Sequence, residues 1–376
     1  MNQRLEGPAD FDVRADTASR LPSLTGMRFV AAAVVVLHHS FFMYFFADPE
    51  INTLLTRIGI GGAFSGVGFF FMLSGFVLAW SARDDGVLRF WRRRVVKIYP
   101  NHFVTALAGI GLALLFGMTL SVPQVVPNLF LVNTWVPDQV VLTAINQPSW
   151  SLCAELFFYL LFPWLFRLAK RIPEERLWWW AGAVVLAVIA VPFFARTVFP
   201  SYPEVPGLPA SAWQWWFCYL FPPVRLLEFF LGILIARLVR AGRWVPVGML
   251  PALLALLAGL VVQILLLPRV YGIVAPVVVP IALVIGAGAT ADLRGTASPF
   301  RGPVMRWLGE ISFALYMVHF LVLQFGKQLL GAERTWSGPA AAGVIAIFFV
   351  VCLALAWLLY TAVEKPAMRR WGGQRR

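Results

Sequence analysis

Ten apolar runs dominate this chain: 29–46, 60–81, 99–120, 150–166, 177–195, 214–236, 245–267, 270–290, 307–326 and 341–363. Each is near the length of about twenty residues that a helix needs to cross a hydrocarbon core of roughly 30 Å. Apolar residues make up 60% of the 376 positions, charged residues only 13%, and the mean hydropathy is +0.77. That balance excludes an ordinary soluble domain. The sequence therefore predicts an all-α, polytopic membrane protein of about ten transmembrane helices. Span 214–236 is interrupted by Pro222 and Pro223. The apolar segment 123–136 is too short and too Pro-rich to cross, and is expected as a loop on the outer surface. Residues 1–20 read as a flexible cytoplasmic tail without the apolar core of a signal peptide. The integral-membrane domain spans 21–366, and 367–376 form a basic cytoplasmic tail.

Orientation follows from Lys and Arg, which concentrate in cytoplasmic loops. With the N-terminus inside, 25 of the 31 basic residues fall on the cytoplasmic side and five outside, with Arg225 within span six. This predicts both termini in the cytoplasm of a multi-pass plasma-membrane protein. It also makes the +13 net charge mostly a topology signal. No basic surface interleaved with aromatics suggests a nucleic-acid partner. Cys153, Cys218 and Cys352 lie in or beside apolar spans, an odd number without CxxC spacing, so neither a disulfide framework nor a zinc site is expected. The glycines at 59, 61, 62, 66 and 68 lack the Lys-Ser/Thr of a P-loop, and with four histidines and no HExxH a metal site is not expected.

Chemistry is expected where ionisable residues enter the apolar runs, because such groups are costly there. Arg28 and His39 share span one. Eleven steps at about 100° bring them to within roughly 20° on one face, about 16 Å apart. Arg28 is expected at the membrane surface and His39 near the midplane, a cation and a base placed to hold an anionic donor and receive its reactive end. Taken alone, Arg28 is an ordinary snorkelling cation. His38 points about 80° away and is the weaker candidate. Arg92, Arg93, Arg94 and Lys97 suit either the positive-inside rule or phosphate groups held by forked guanidinium contacts. Glu155 shares a face with Ser151 four residues earlier. A helix cap at Ser149 or Ser151 competes with a site role for this acid. Arg225 and Glu228, three apart, are expected to pair. Ser312, Tyr316 and His319 line one face of span nine, and His319 is either a second site histidine or a bonded core residue. Ser74 and Gly75 suggest close packing against a neighbour or a ligand.

The opening LPSLTGMRFVAAAVVVLHHS at 21–40 resembles the integral-membrane acyltransferase-3 family, with its Arg-x10-His pairing. Further similar motifs run in family order: GVGFFFMLSGF at 66–76, RRVVKIYP at 93–100, PSWSLCAELFFYLLFP at 148–163, RLLEFFLGILIA at 225–236 and LGEISFALYMVHF at 308–320. The chain departs from the pattern at Lys97, where Arg is common, and at Gly68, where an acidic or polar residue is common. The resemblance implies a membrane O-acyltransferase that moves an acyl group from acyl-CoA to a hydroxyl of a sugar, glycan, lipid or antibiotic. It needs no bound cofactor, since acyl-CoA is a co-substrate. It implies Arg28 and the 92–97 cluster as donor-binding residues, with His39 as general base or nucleophile. Glu155 and His319 would orient the acceptor or complete proton transfer. Ser74, Ser151, Arg225, Glu228, Ser312 and Tyr316 are expected in support. The alternative is a transporter or flippase, which predicts related halves with helices broken at matching positions.

Overall fold

The computed structural model describes residues 21–83, 86–205, 210–267 and 270–372. Ten helices are long and apolar enough to cross a membrane. They are α1 (Pro22–Phe42), α2 (Pro49–Trp80), α3 (Val87–Leu115), α4 (Gln147–Arg171), α5 (Glu174–Val198), α6 (Ala212–Arg240), α7 (Met249–Leu266), α8 (Ala275–Leu293), α9 (Pro303–Leu330) and α10 (Gly338–Trp371). No strand forms among the described residues, and the fold is the all-α polytopic bundle that the apolar runs predict. The expected tail 1–20 lies outside the described residues; of the tail 367–376, residues 367–371 continue the last helix and 373–376 lie outside the described residues.

Most of the helices outrun their apolar cores. α2 begins eleven residues before the run at 60–81, capped by the Asp48 carboxylate on the Glu50 and Ile51 amides. α1 starts at Pro22, and a partner from another helix caps it. The Asp292 carboxylate, at the end of α8, accepts from the Ser23 amide at 2.8 Å and the Ser23 hydroxyl at 2.7 Å. α6 is broken where the two prolines predict. A π-helical turn over Trp216–Leu220 ends at Phe221, whose extended backbone delivers Pro222 to the first turn of the second segment.

The centre of the bundle is α1, α2, α6 and α9. α1 packs on α2 and α9, and α2 on α6. At the α2–α6 crossing the backbones touch through glycine. A Cβ on Gly75 would stand 1.9 Å from the Phe229 carbonyl oxygen, and one on Gly232 1.9 Å from that of Met72. Apolar lipid offers little hydrophobic drive between helices, so close contact over small residues supplies the packing. This settles Gly75 as a packing residue.

The segment before α4, expected as a loop, is partly helical and partly tucked against the bundle. Residues 122–129 form a short helix, and 3-10 turns follow at 133–135 and 147–149. Asn128, Asn133, Thr134 and Asn146 are all buried. The Asn146 amide donates to the Met317 carbonyl of α9 at 2.9 Å, and the Asn128 amide to that of Val141 at 2.9 Å. Irregular backbone within a membrane bundle is tolerated only where protein satisfies it. These asparagines do that, while Val122 and Phe130 face outward. α4 therefore starts beside the middle of α9, and its first residues open into the interior.

Candidate active site

A cavity of about 470 Å³ lies between α1, α2, α3, α4 and α9, with Tyr360 of α10 on its wall. One end carries Ser81, Lys97 and Glu310, beside the start of α9, and is here termed the basic end. The cavity runs along α9 past Ser312 and Phe313 to Tyr316, where Phe70, Phe71 and Val67 of α2 meet it.

Its wall is rich in cations. Arg28 of α1, Arg94 and Lys97 of α3 all line it. Neither Arg28 nor Arg94 has an ion-pair partner among the described residues. Arg94 is held by rings, its guanidinium carbon 5.8 Å from the Phe90 and Tyr159 centroids, and its buried Nε has no hydrogen-bond partner. Lys97 is bound to the buried carboxylate of Glu364, which also accepts from the Asn101 amide at 2.6 Å. The remaining members of the basic cluster do not line the cavity, and Arg92 is exposed. α3 therefore divides the cluster, directing Arg94 and Lys97 inward three residues apart.

Glu155 faces the same cavity. It accepts from the Tyr159 hydroxyl at 3.2 Å, one turn on, and that hydroxyl lies 3.2 Å from Ser74 Oγ of α2. The capping alternative fails, because the Ser149 hydroxyl donates to Asn128 Oδ1 at 3.2 Å and leaves the α4 terminus uncapped. Ser151 Oγ lies 3.1 Å from the Pro148 carbonyl and 3.0 Å from the Tyr316 hydroxyl. The serine hydroxyl thus stands between the two oxygens as their shared donor. Ser312 donates to the Gly309 carbonyl of its own helix at 2.8 Å.

One helical turn beyond Tyr316, His319 meets His39 across the α1–α9 interface. His319 Nε2 is 3.2 Å from His39 Nδ1, and the ring centroids are 5.1 Å apart. His319 Nδ1 lies 2.7 Å from the Tyr316 carbonyl, and His39 Nδ1 lies 3.0 Å from the Val35 carbonyl. These contacts assign the neutral tautomers. Tyr316 requires the proton on His319 Nδ1, which leaves His319 Nε2 an acceptor. His39 Nδ1 then carries a proton shared between Val35 and His319, and His39 Nε2 keeps its lone pair, with no hydrogen-bond partner among the described residues. The chain Tyr316–His319–His39 thus presents a bare imidazole nitrogen. His39 sits in the last turn of α1 yet at mid-length of α9, because α9 continues eleven residues past His319.

His38 lies outside this chain. Its ring stands edge-on to His39 at 4.9 Å, its Nδ1 has no hydrogen-bond partner, and it packs over Gly59 of α2. Arg225 and Glu228 pair at 2.9 Å, buried and away from the large cavity. The Arg225 guanidinium also stacks 5.2 Å from the Phe71 ring. A Cβ on Gly68 would fall 2.6 Å from Glu228 Oε1, so the Glu228 carboxylate takes the space that a side chain at 68 would fill. Sequence reading did not single out Tyr159 or Glu364. Tyr159 carried a signal, at helical spacing of four from an intramembrane acid. Glu364 carried none, lying 267 residues from Lys97.

The polytopic bundle thus holds a cavity lined by Arg28, Arg94 and Lys97 that ends one turn from the hydrogen-bonded His319–His39 pair. The chain matches the acyltransferase-domain family over residues 21–361 and belongs to it. It is an integral-membrane acyltransferase. It is 44% identical to Acyltransferase MdmB of Streptomyces mycarofaciens over 367 residues, covering 95% of this chain and 94% of that one. Partial similarity extends to Nodulation protein 10 of Rhizobium leguminosarum bv. viciae, 29% over 44% of this chain and 48% of the relative. It extends also to O-acetyltransferase OatA of Staphylococcus aureus, 25% over 38% of this chain and 24% of that one. No solved structure matches the chain.

Proposed function

We propose that this acyltransferase takes acetyl or another short acyl group from acyl-CoA and places it on a hydroxyl of a sugar, glycan, lipid or antibiotic. The observation that carries the reading is the cavity lined by Arg28 and Arg94, neither in a salt bridge among the described residues, which ends one turn from His319, itself hydrogen-bonded to His39. Arg28, Arg94 and Lys97 outnumber the carboxylates of Glu155 and Glu310 on the cavity wall. An anionic ligand is therefore favoured, and phosphates suit the forked donors of the two guanidinia. The donor enters at the basic end, which we read as the cytoplasmic face of the plasma membrane, and the excess of Lys and Arg in the loops on that side supports this orientation. His39 Nε2 accepts the proton of the acceptor hydroxyl as its oxygen attacks the thioester carbonyl. A C–O bond forms, the C–S bond breaks, and CoA leaves as a thiolate that takes up a proton. His319 receives the His39 Nδ1–H and orients the ring, as the third member of a catalytic triad does. Glu155, held by Tyr159, balances the cations around the donor.

The test is direct. Membranes holding the wild-type chain are incubated with radiolabelled acetyl-CoA and extracts of the native host, and the acylated products are compared with those from Arg28→Ala and His39→Ala. Label must enter a hydroxyl ester with wild type and with neither variant. Equal labelling by all three overturns the assignment.

A further inference from the structure

The histidine pair does not line the donor cavity, and what separates them is a pair of rings. Along α9 the lining residues run Gly309, Ser312, Phe313, Tyr316. The next position on that face is His319, about 4.5 Å farther by helical rise. Across the cavity, Phe70 of α2 meets Tyr316, their centroids 6.0 Å apart and their planes inclined at 64°. That is contact distance for two rings and leaves no gap for an alkyl chain. Tyr316 is not free to swing, because its ring is buried and its hydroxyl is tied to Ser151 at 3.0 Å. Phe70 has no polar tether and is only partly buried, with Phe69 beside it at 6.2 Å. One ring of the pair is fixed and the other can yield.

We infer that Phe70 and Tyr316 form a size filter that restricts the donor to short acyl groups. The inference rests on the proposed acyl-CoA donor. A donor entering from the basic end has its phosphates at Arg28 and Arg94, so its acyl group leads. The acyl group must pass between these rings before its carbonyl reaches His39. A small displacement of Phe70 admits an acetyl group. A longer chain requires the ring to leave its packed position, and apolar sites commonly discriminate one methylene by about ten-fold or more. The filter acts before chemistry, and it selects the donor without touching the acceptor.

The experiment uses purified protein in lipid nanodiscs and two reactive donors, bromoacetyl-CoA and 2-bromohexanoyl-CoA, so no acceptor is required. His39 Nε2 displaces bromide: an N–C bond forms, the C–Br bond breaks, and the alkylated ring loses its Nδ1 proton to water. Mass spectrometry of the His39 peptide gives the rate with each reagent, with acetyl-CoA protection as the specificity control. Comparing one ratio across variants cancels the intrinsic reactivities of the two bromides. Phe70→Ala raises the hexanoyl-to-acetyl ratio at least ten-fold over wild type, and Phe70→Trp lowers it. Opposite shifts separate the filter from general damage, and either variant alone suffices if the other does not fold. An unchanged ratio, or a shift in the same direction in both, overturns the filter. If bromoacetyl-CoA gives wild-type His39 no labelling that acetyl-CoA protects against, the donor reading itself fails, and the filter with it.

Discussion

Exchanging Arg for Lys at the donor cavity separates phosphate binding from topology, because both residues count equally as inside charges. Arg28 and Arg94 line the cavity without ion-pair partners, whereas Arg92 is exposed and outside it. A hydrogen bond to a charged group contributes about 1.5–3 kcal/mol. Replacing a forked guanidinium by a single ammonium keeps the charge and forfeits about one such bond. The lower end of that range corresponds to roughly a ten-fold loss in affinity, about 1.4 kcal/mol. Arg28→Lys and Arg94→Lys should therefore each raise the KM for acetyl-CoA about ten-fold and leave the acceptor KM unchanged. Arg92→Lys should leave both where they are. The assay is initial-rate kinetics on nanodisc protein with each substrate varied in turn, after confirming equal membrane insertion. An unmoved donor KM in Arg28→Lys and Arg94→Lys would refute the phosphate-binding argument. So would an equal rise in Arg92→Lys, because the effect would then follow charge position and not the cavity.

The number of spans and the class of fold were legible because lipid leaves so few options. A run of about twenty apolar residues has one stable solution in a bilayer. Helix ends were not legible to the same degree. α1 gained its first turns from Asp292 and α2 its start from Asp48, caps that lie outside the apolar run. The helical turn and the buried asparagines within 123–136 were not legible for a related reason. Hydropathy reports length, and it carries no information on asparagines that satisfy a folded-in backbone from helices far away, as Asn146 does on Met317. Within the site, residues on one helix face were readable from spacing, and Ser151 with Glu155 and Ser312 with Tyr316 share the cavity. The basic cluster 92–97 was readable only as a group, since charge alone does not say which cations turn inward. Contacts between helices were out of reach. The His39–His319 bond joins positions 280 apart, and the Lys97–Glu364 pair positions 267 apart.

Three further outcomes follow from the same contacts. Gly75→Leu should prevent stable assembly, because even a Cβ at this position overlaps the Phe229 carbonyl, and the loss should show as aggregation on detergent extraction. Single-cysteine labelling of intact cells should reach position 138 and not position 85 if the basic end is cytoplasmic; reaction at 85 would reverse the proposed orientation. The last outcome concerns the histidines. His39→Ala should abolish turnover while insertion persists, and His38→Ala should keep most of it, since His38 touches Gly59 and takes no part in the proton chain. His319→Ala removes the acceptor that orients His39 but leaves Val35 to hold the same proton, so it should lower kcat by about 10²-fold, within the range of a general-base contribution, with donor KM little changed. Because that loss is one of ring orientation, His319→Gln, which offers an amide oxygen to His39 Nδ1–H, should restore part of the rate. A glutamine variant no faster than alanine would show that His319 does more than position its neighbour.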